Sequence, residues 1–498
     1  MYTYSLANNK LIKRSRLLVF NSVLFVRNFI LLLECCHEFN FIYRKRSIFD
    51  FIKKLVSLPK SPDSESGFVI YPRSAHTVSR AQISDNALKV LYRLKSNGYQ
   101  SYLVGGCVRD LLLGLEPKDF DVVTDASPEQ IKAIFRNCRL IGRRFRLAHV
   151  HFGREIIEVA TFRGASGDER GADRVHENGR LLRDNVYGTI EEDVWRRDFT
   201  VNALYYNIRD FSIIDYVNGF KDHQQGILRL IGDSEVRYRE DPVRMLRAVR
   251  FSTKLNFQLD PESAKSIGEM ADLLKGVPSA RLYDEVLKLF LSGSAIAVFE
   301  LLERYRLFAV LFPDTDKSLQ QAEGDFPRAL LLKALGNTDS RIAEGKSVMP
   351  YFLLSAFLWD TVQSLVAIKV QKGMNEVMAF QEAGNEAIGR QVNFTAFPKR
   401  VGLSMREVWG LQPRFEQRVG ARAFRVLAHP RFRAAYDFLL LRAQTGNAAL
   451  ELAQWWTEFQ VANNERQKEM VRAIPGAKKR VSRRKKTVVR SKRVVISQ

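Results

Sequence analysis

Two carboxylates separated by one aromatic, Asp119-Phe120-Asp121, open the apolar run Val122-Val123. Residues two apart on a strand point to the same face. That spacing throws both acids together and turns Phe120 and Val122 toward a core. Like charges so close repel, and a divalent cation between them removes the penalty. Mg²⁺ prefers oxygen ligands and binds through one or two carboxylates plus phosphates. The bland alternative is an exposed strand end with two solvated acids. The residues upstream decide between them. Tyr102 to Val104 reads as a strand, breaks at Gly105-Gly106, and Val108 to Leu113 reads as a helix start. Glycines there let backbone N–H groups approach a phosphate, and a helix N-terminus adds positive potential. Alone, the glycine pair reads as a plain strand-to-helix turn. Beside paired acids, it reads as half of a nucleotide and metal site.

The surrounding pattern is mixed. Ser84 to Ser96 reads as an amphipathic helix with Ala87, Val90, Leu91 and Leu94 on one face. Phe120 to Val123 reads as a strand, and Ser127 can cap a helix over Pro128 to Phe135. His149 to Phe152 and Ile156 to Phe162 read as further strands. Gly164 to Gly179, rich in glycine and charge, reads as a mobile loop. From about Glu235 strand signals fade. Ser279 can cap a helix carrying Leu282, Val286 and Leu289 that Gly293 ends, and a second runs from Ala295 to Tyr305. The expected class is α+β: an α/β head at 80–232, an all-helical neck at 233–313 and a helical body at 314–470.

Composition bears on the partner. The 498-residue chain carries a formal net charge of +23, a surplus that argues for a polyanion, nucleic acid or an anionic membrane. Ten Lys/Arg and no acid fill 478–493, so 476–498 is expected to be a disordered basic tail. Residues 1–67 read as an extension and polar linker. Asn21, Arg27 and Asn28 interrupt the apolar stretch Leu17 to Leu33, so no transmembrane segment is expected there; a surface-lying amphipathic segment is the alternative reading. Cys35, Cys36, Cys107 and Cys138 form no Cys-x-x-Cys pair, which excludes a disulfide framework and fits a reducing compartment such as the cytoplasm.

A two-metal site calls for a third acid. Glu158 lies inside the strand-like run Ile156 to Ala160, and Asp198 follows Arg196-Arg197, a pair suited to a triphosphate. Asp198 also reads as an ordinary helix N-cap before Phe199-Thr200-Val201-Asn202.

Four blocks together resemble a known family. Leu103 to Gly114, Asp119-Phe120-Asp121, Arg196 to Ala203 and Arg239 to Phe251 are similar, in that order, to the class II nucleotidyltransferases, which comprise bacterial poly(A) polymerases and tRNA CCA-adding enzymes. The resemblance implies a nucleotidyltransferase head in which Asp119 and Asp121 bind Mg²⁺ (or Mn²⁺) and Asp198 is the third catalytic acid. It implies that Gly105, Gly106, Arg109 and Arg197 hold the triphosphate of ATP, and that Asp241 and Arg244 read the base. Three residues apart on a helix, those two would share a face. An Asp accepts from an exocyclic amine and an Arg donates to a ring nitrogen, which admits adenine and cytosine and rejects guanine and uracil. The bland reading of the pair is an intrahelical salt bridge. Leu140 to Val150 resembles a segment of the poly(A) polymerases, and the tail resembles theirs. The expected function is template-independent polyadenylation of RNA 3′ ends, with RNA-decay proteins as partners. CCA addition to tRNA and a non-catalytic RNA-binding adaptor are the alternatives.

Overall fold

A computed structural model describes residues 67–142, 146–164, 174–177, 180–184, 186–322 and 324–474. The extension at 1–57, the tail at 478–493 and Arg143 to Phe145 lie outside the described residues.

The head is one eight-stranded sheet. In chain order its strands are β1 (Val69–Tyr71), β2 (Ser101–Val104), β3 (Asp121–Thr124), β4 (Cys138–Ile141), β5 (Leu147–Phe152) and β6 (Glu155–Thr161). A separate two-stranded ribbon, β7 (Arg174–Glu177) with β8 (Arg180–Asp184), comes next, then β9 (Leu204–Asn207) and β10 (Ile213–Asp215) of the main sheet. The spatial order is β1-β10-β9-β2-β3-β6-β5-β4, antiparallel except for the central β3–β6 pair. Within the loop expected over Gly164 to Gly179, Arg174–Glu177 is instead a strand, paired antiparallel with Arg180–Asp184; 165–173 and 178–179 lie outside the described residues.

Period two along these strands builds two cores. Leu103, Val122 and Val159 face one side with helices α1 (Asp85–Ser96), α2 (Gly106–Leu112) and α3 (Pro128–Ile134). Val104, Val123 and Tyr205 face the other with α4 (Ile190–Arg196). The starts follow local chemistry. Ser84 accepts from the Asn86 N–H, and Ser127 with Gln130 forms a reciprocal cap.

Beyond the head come α5 (Gly219–Gln225), α6 (Ser234–Glu240), α7 (Val243–Leu255), α8 (Pro261–Met270), α9 (Ser279–Phe290) and α10 (Ala295–Arg304), then further helices to Ala473. One short parallel pair, Ile227–Leu228 with Gln258–Leu259, persists past Glu235. Ser279 occupies the first helical position of α9 and caps nothing with its side chain; Pro278 is the cap. Gly293, at φ +87°, turns the chain two residues beyond the Leu291 cap. One apolar cluster runs from Phe199 and Leu230 through Val249, Phe290 and Phe312 to Phe357, Trp359 and Trp409. It joins the end of the head, the expected neck and the expected body without a break at 313.

Candidate active site

The turn after β2 has a backbone that only glycine adopts easily: Gly105 sits at φ +79°, ψ −136°. Three groups converge on it. A Cβ there would lie 3.6 Å from Arg197 Nη1 and 3.9 Å from both the Asn202 carbonyl and Asp121 Oδ2. The glycine turn, one carboxylate and one guanidinium therefore share one small space. Gly105→Ala strains this turn by about 1–3 kcal/mol and crowds the space it shares with Arg197 and Asp121. The expected result is a raised KM for the nucleotide with a modest loss of thermal stability; an unchanged KM would remove the turn from the binding site.

Asp121 opens β3 and pairs in register with Glu158 on β6. In a parallel ladder, registered neighbours point to the same face. Asp119 lies just before the strand and is exposed. With Ser84, His149 and Glu155, the three acids line one cavity of about 690 Å³. His149 Nε2 stands 3.3 Å from Glu158 Oε1. Burial first, then Glu158 and Asp119, push the Asp121 carboxyl up to about 6, against the pull of Arg197. Unneutralised negative charge beside an open glycine cradle fits a hard cation that takes one or two carboxylates and leaves positions for phosphate. Among the described residues no group of three or more His, Cys, Asp or Glu is placed to hold a metal ion by itself, so a cation here would rest on one or two carboxylates and on the phosphates of the nucleotide.

Arg197 is held from behind. Its Nε donates to the Tyr205 hydroxyl at 2.9 Å and its Nη2 to Asp193 Oδ2 at 2.9 Å, while Tyr205 donates to the same oxygen at 2.7 Å. Burial lowers the guanidinium's pKa, but Tyr205 and Asp193 outweigh it and the net shift is upward. Nη1 is left toward Gly105. Asp193 stands one helical turn before Arg197, a spacing legible in sequence; Tyr205 was not anticipated.

Arg109, expected at the triphosphate, is turned inward against the glycine turn. Its side chain is 3% exposed and lies behind the turn. It donates to Asp110 Oδ1 at 2.8 and 2.6 Å and to Asn202 Oδ1 at 2.6 Å, and its guanidinium stacks 5.2 Å from the Phe251 ring centre. Three of its five N–H donors are so engaged, which braces the turn, and Nη2 lies 3.5 Å from where a Cβ on Gly106 would stand.

Asp198 is also engaged. Arg247, on α7, donates to Oδ2 from Nε (2.7 Å) and Nη2 (2.6 Å); Oδ1 accepts from the Phe199 N–H and from Asn202 Nδ2. Burial would raise this carboxyl, but Arg247 and these donors hold it below the usual range. It is no helix cap: the short turn Thr200–Asn202 has Phe199 as its cap. Asn202 joins Asp198 to Arg109, so one chain of bonds ties the first block to the third and, through Arg247, to the fourth. Arg247 and Asn202 were not anticipated either.

The expected base readers are not on one helix face. Asp241 ends α6, and α7 restarts after Pro242. Asp241 Oδ2 accepts from Arg281 Nη2 at 2.7 Å, while Arg244 donates to Glu240 at 2.8 Å and to the Arg237 carbonyl at 2.7 Å. The Asp241–Arg244 salt bridge weighed above is therefore not formed.

The chain matches three family models: "Poly A polymerase head domain" over residues 101–229, "Probable RNA and SrmB- binding site of polymerase A" over 256–319, and "Polymerase A arginine-rich C-terminus" over 372–492. It is 47% identical over 454 residues to Poly(A) polymerase I of Salmonella typhi, covering 89% of this chain and 98% of that one. The figures for Poly(A) polymerase I of Escherichia coli O157:H7 are 47% over 455 residues, 89% and 98%. A CCA-adding enzyme of Lactobacillus helveticus is 36% identical over 217 residues, 43% of this chain. In fold, the chain is similar to the Thermotoga maritima CCA-adding enzyme solved with tRNA, at TM-score 0.52 and 20% identity, covering 78% of this chain and 85% of that one.

Proposed function

This chain belongs to the family of bacterial poly(A) polymerases, and from that premise we infer that it extends RNA 3′ ends with adenylate from ATP, without a template and with release of pyrophosphate. The observation that carries this is likeness over most of the chain: 47% identity across 89% of it with a Poly(A) polymerase I, against 36% across 43% of it with a CCA-adding enzyme.

The geometry supports these roles. Asp119 and Asp121 would hold Mg²⁺, with Mn²⁺ as a substitute and Glu158 beside them. When bound, the ion supplies charge stabilisation for the attacking and leaving oxygens. The backbone of Gly105-Gly106 and the free Nη1 of Arg197 receive the triphosphate. The RNA 3′-hydroxyl attacks the α-phosphorus, its proton passes to water or a site carboxylate, and the bond to pyrophosphate breaks. Asp198, implied by resemblance to be the third acid, is here a positioning residue: it fixes Arg247 and, through Asn202, the Arg109 brace. Asp241 reads the adenine amine once Arg281 gives way, and Arg244 stands beside it. The acting compartment is the cytoplasm, with RNA-decay proteins as partners. Among the described residues no single helix is long and apolar enough to cross a membrane.

The test is incorporation of ATP or CTP into unstructured RNA and into tRNA lacking its 3′ end. Long A-tails on unstructured RNA are expected. One or two C additions confined to tRNA would overturn the reading in favour of CCA addition, and no pyrophosphate with either RNA would favour an adaptor. Base choice gives a finer test. Asp241→Ala removes the acceptor for the adenine amine, and a bidentate base contact is worth about 1–3 kcal/mol of discrimination. A raised KM for ATP and relaxed exclusion of GTP and UTP are expected; unchanged selectivity would reduce Asp241 to a partner of Arg281.

A further inference from the structure

Most arginines near the catalytic cleft have an acid partner: Arg197 has Asp193, Arg244 has Glu240, Arg247 has Asp198 and Arg281 has Asp241. The body holds a group that does not. Two hollows of about 350 and 340 Å³ lie along helix Lys399–Phe415, one toward Glu376–Gln391 and the other toward Ala421–Leu427, and both are lined by Leu411 and Arg414. They form one groove. Arg406 lines its first half, and Arg422 and Arg425 its second. Arg406 donates to a neutral partner, Asn385 Oδ1, at 2.5 Å, and Arg425 to the Ala421 carbonyl at 3.4 Å. Among the described residues, none of these four arginines pairs with a carboxylate. The one acid in the lining, Glu407, is taken by Arg431 at 2.9 Å.

Four like charges along one groove repel within a Debye length of about 8–10 Å. The arrangement therefore favours an occupant that brings negative charge at regular intervals. The lining carries no Phe, Tyr or Trp: its apolar members are Leu411 with Leu403, Val377 and Val426, and its one ring, His429, accepts the Arg431 N–H at 3.1 Å. Stacking of bases needs aromatic platforms, so the groove suits a backbone rather than bases. We propose that this groove, Arg406–Arg414–Arg422–Arg425, is a secondary binding track for the sugar-phosphate backbone of the RNA upstream of its 3′ end. It deepens the polyadenylation reading, since it presumes an RNA substrate. It would let the enzyme grip long RNAs without regard to sequence, separately from the nucleotide site.

The experiment uses the full chain with Arg414→Ala, Arg422→Ala and Arg425→Ala combined, and, separately, Arg422→Glu at a solvent-facing position that leaves the fold intact. RNA affinity is measured against log salt for a short oligonucleotide primer and for a long unstructured RNA, alongside the saturated rate. Every phosphate of single-stranded RNA that an arginine no longer neutralises lowers the salt slope by about 0.7. The triple variant should therefore fall by about 2 in slope on the long RNA and not at all on the short primer, with an unchanged saturated rate. Arg422→Glu should weaken the long RNA severalfold. Equal slopes for variant and parent on the long RNA would overturn the proposal and leave the groove to an acidic protein. An equal drop on both RNAs would overturn it too, by placing these arginines at the primer terminus. Failure of the polyadenylation reading is distinct: the parent would then not extend the short primer with ATP at all.

Discussion

Asp121→Asn is expected to abolish RNA extension and, in the absence of divalent metal, to make the protein more stable at pH 8. Asparagine keeps the shape and removes the charge. The parent carboxyl is pushed from 3.8 to about 6, chiefly by burial and then by Glu158 and Asp119. A carboxyl whose folded pKa is raised contributes stability that is complete below its unfolded value and is lost as pH climbs through the folded one. The parent therefore gives up stability between about pH 4 and pH 6, and the asparagine variant does not. At 1.36 kcal/mol per pKa unit, discounted for partial solvation, the difference is about 2 kcal/mol above pH 6. That amounts to a few degrees in melting temperature, vanishing near pH 3.5. Added Mg²⁺ should reverse the order, since only the parent gains a bound ion. Thermal melts at pH 3.5 and pH 8, with and without Mg²⁺, read all of this. Appreciable extension by the variant would sink the metal assignment. A lower melt for the metal-free variant at pH 8 would mean that hydrogen bonding, not burial, governs this carboxyl.

The second large effect is at Asp198. Asp198→Ala strips the bidentate partner from Arg247 and the acceptor from Asn202, so the brace behind Gly105 loses its anchor. Removing one member of a buried pair costs about 3–5 kcal/mol, and somewhat less here because Arg247 is 33% exposed. Turnover should collapse, far more than for Glu158→Ala, which also relieves Asp121 of a neighbouring charge. Asp198→Asn separates positioning from metal binding. If Asp198 works through Arg247 and Asn202, the amide variant keeps part of the network, retains measurable turnover, and leaves the Mg²⁺ dependence unmoved. A large shift in the Mg²⁺ concentration for half-maximal rate would make Asp198 a metal ligand instead. A dead Glu158→Ala beside a merely unstable Asp198→Ala would reverse the two roles.

The contrast between these acids shows what residue order can and cannot convey. Asp119 and Asp121 stand out in sequence because their spacing is local, two residues apart with a glycine turn upstream, although only Asp121 lies on β3 and Asp119 just precedes it. The strands and capped helices of the head were legible for the same reason. Glu158 was visible as an acid inside an apolar run, but its register opposite Asp121 depends on a parallel pairing that only the folded sheet fixes. For Arg109, motif position says nothing of which way the guanidinium turns. Here Asp110 and Asn202 draw it inward. Asp241 and Arg244 do not share the expected helix face because Pro242 interrupts the helix between them. The short parallel pair Ile227–Leu228 with Gln258–Leu259 went unseen because two-residue strands carry too little periodicity to stand out from helix.

The apolar cluster that passes from Phe199 through Phe312 to Trp409 has a bearing on modularity. Phe308 and Phe312 stack at 5.4 Å, and both meet Phe357 edge-on, at 6.0 and 4.9 Å. A graft that exchanged everything after residue 313 for the corresponding part of a relative would cut through that aromatic nest and leave three rings to find new neighbours. Helical segments on either side of such a cut share one interior, so position 313 offers an engineer no seam at which to exchange them separately.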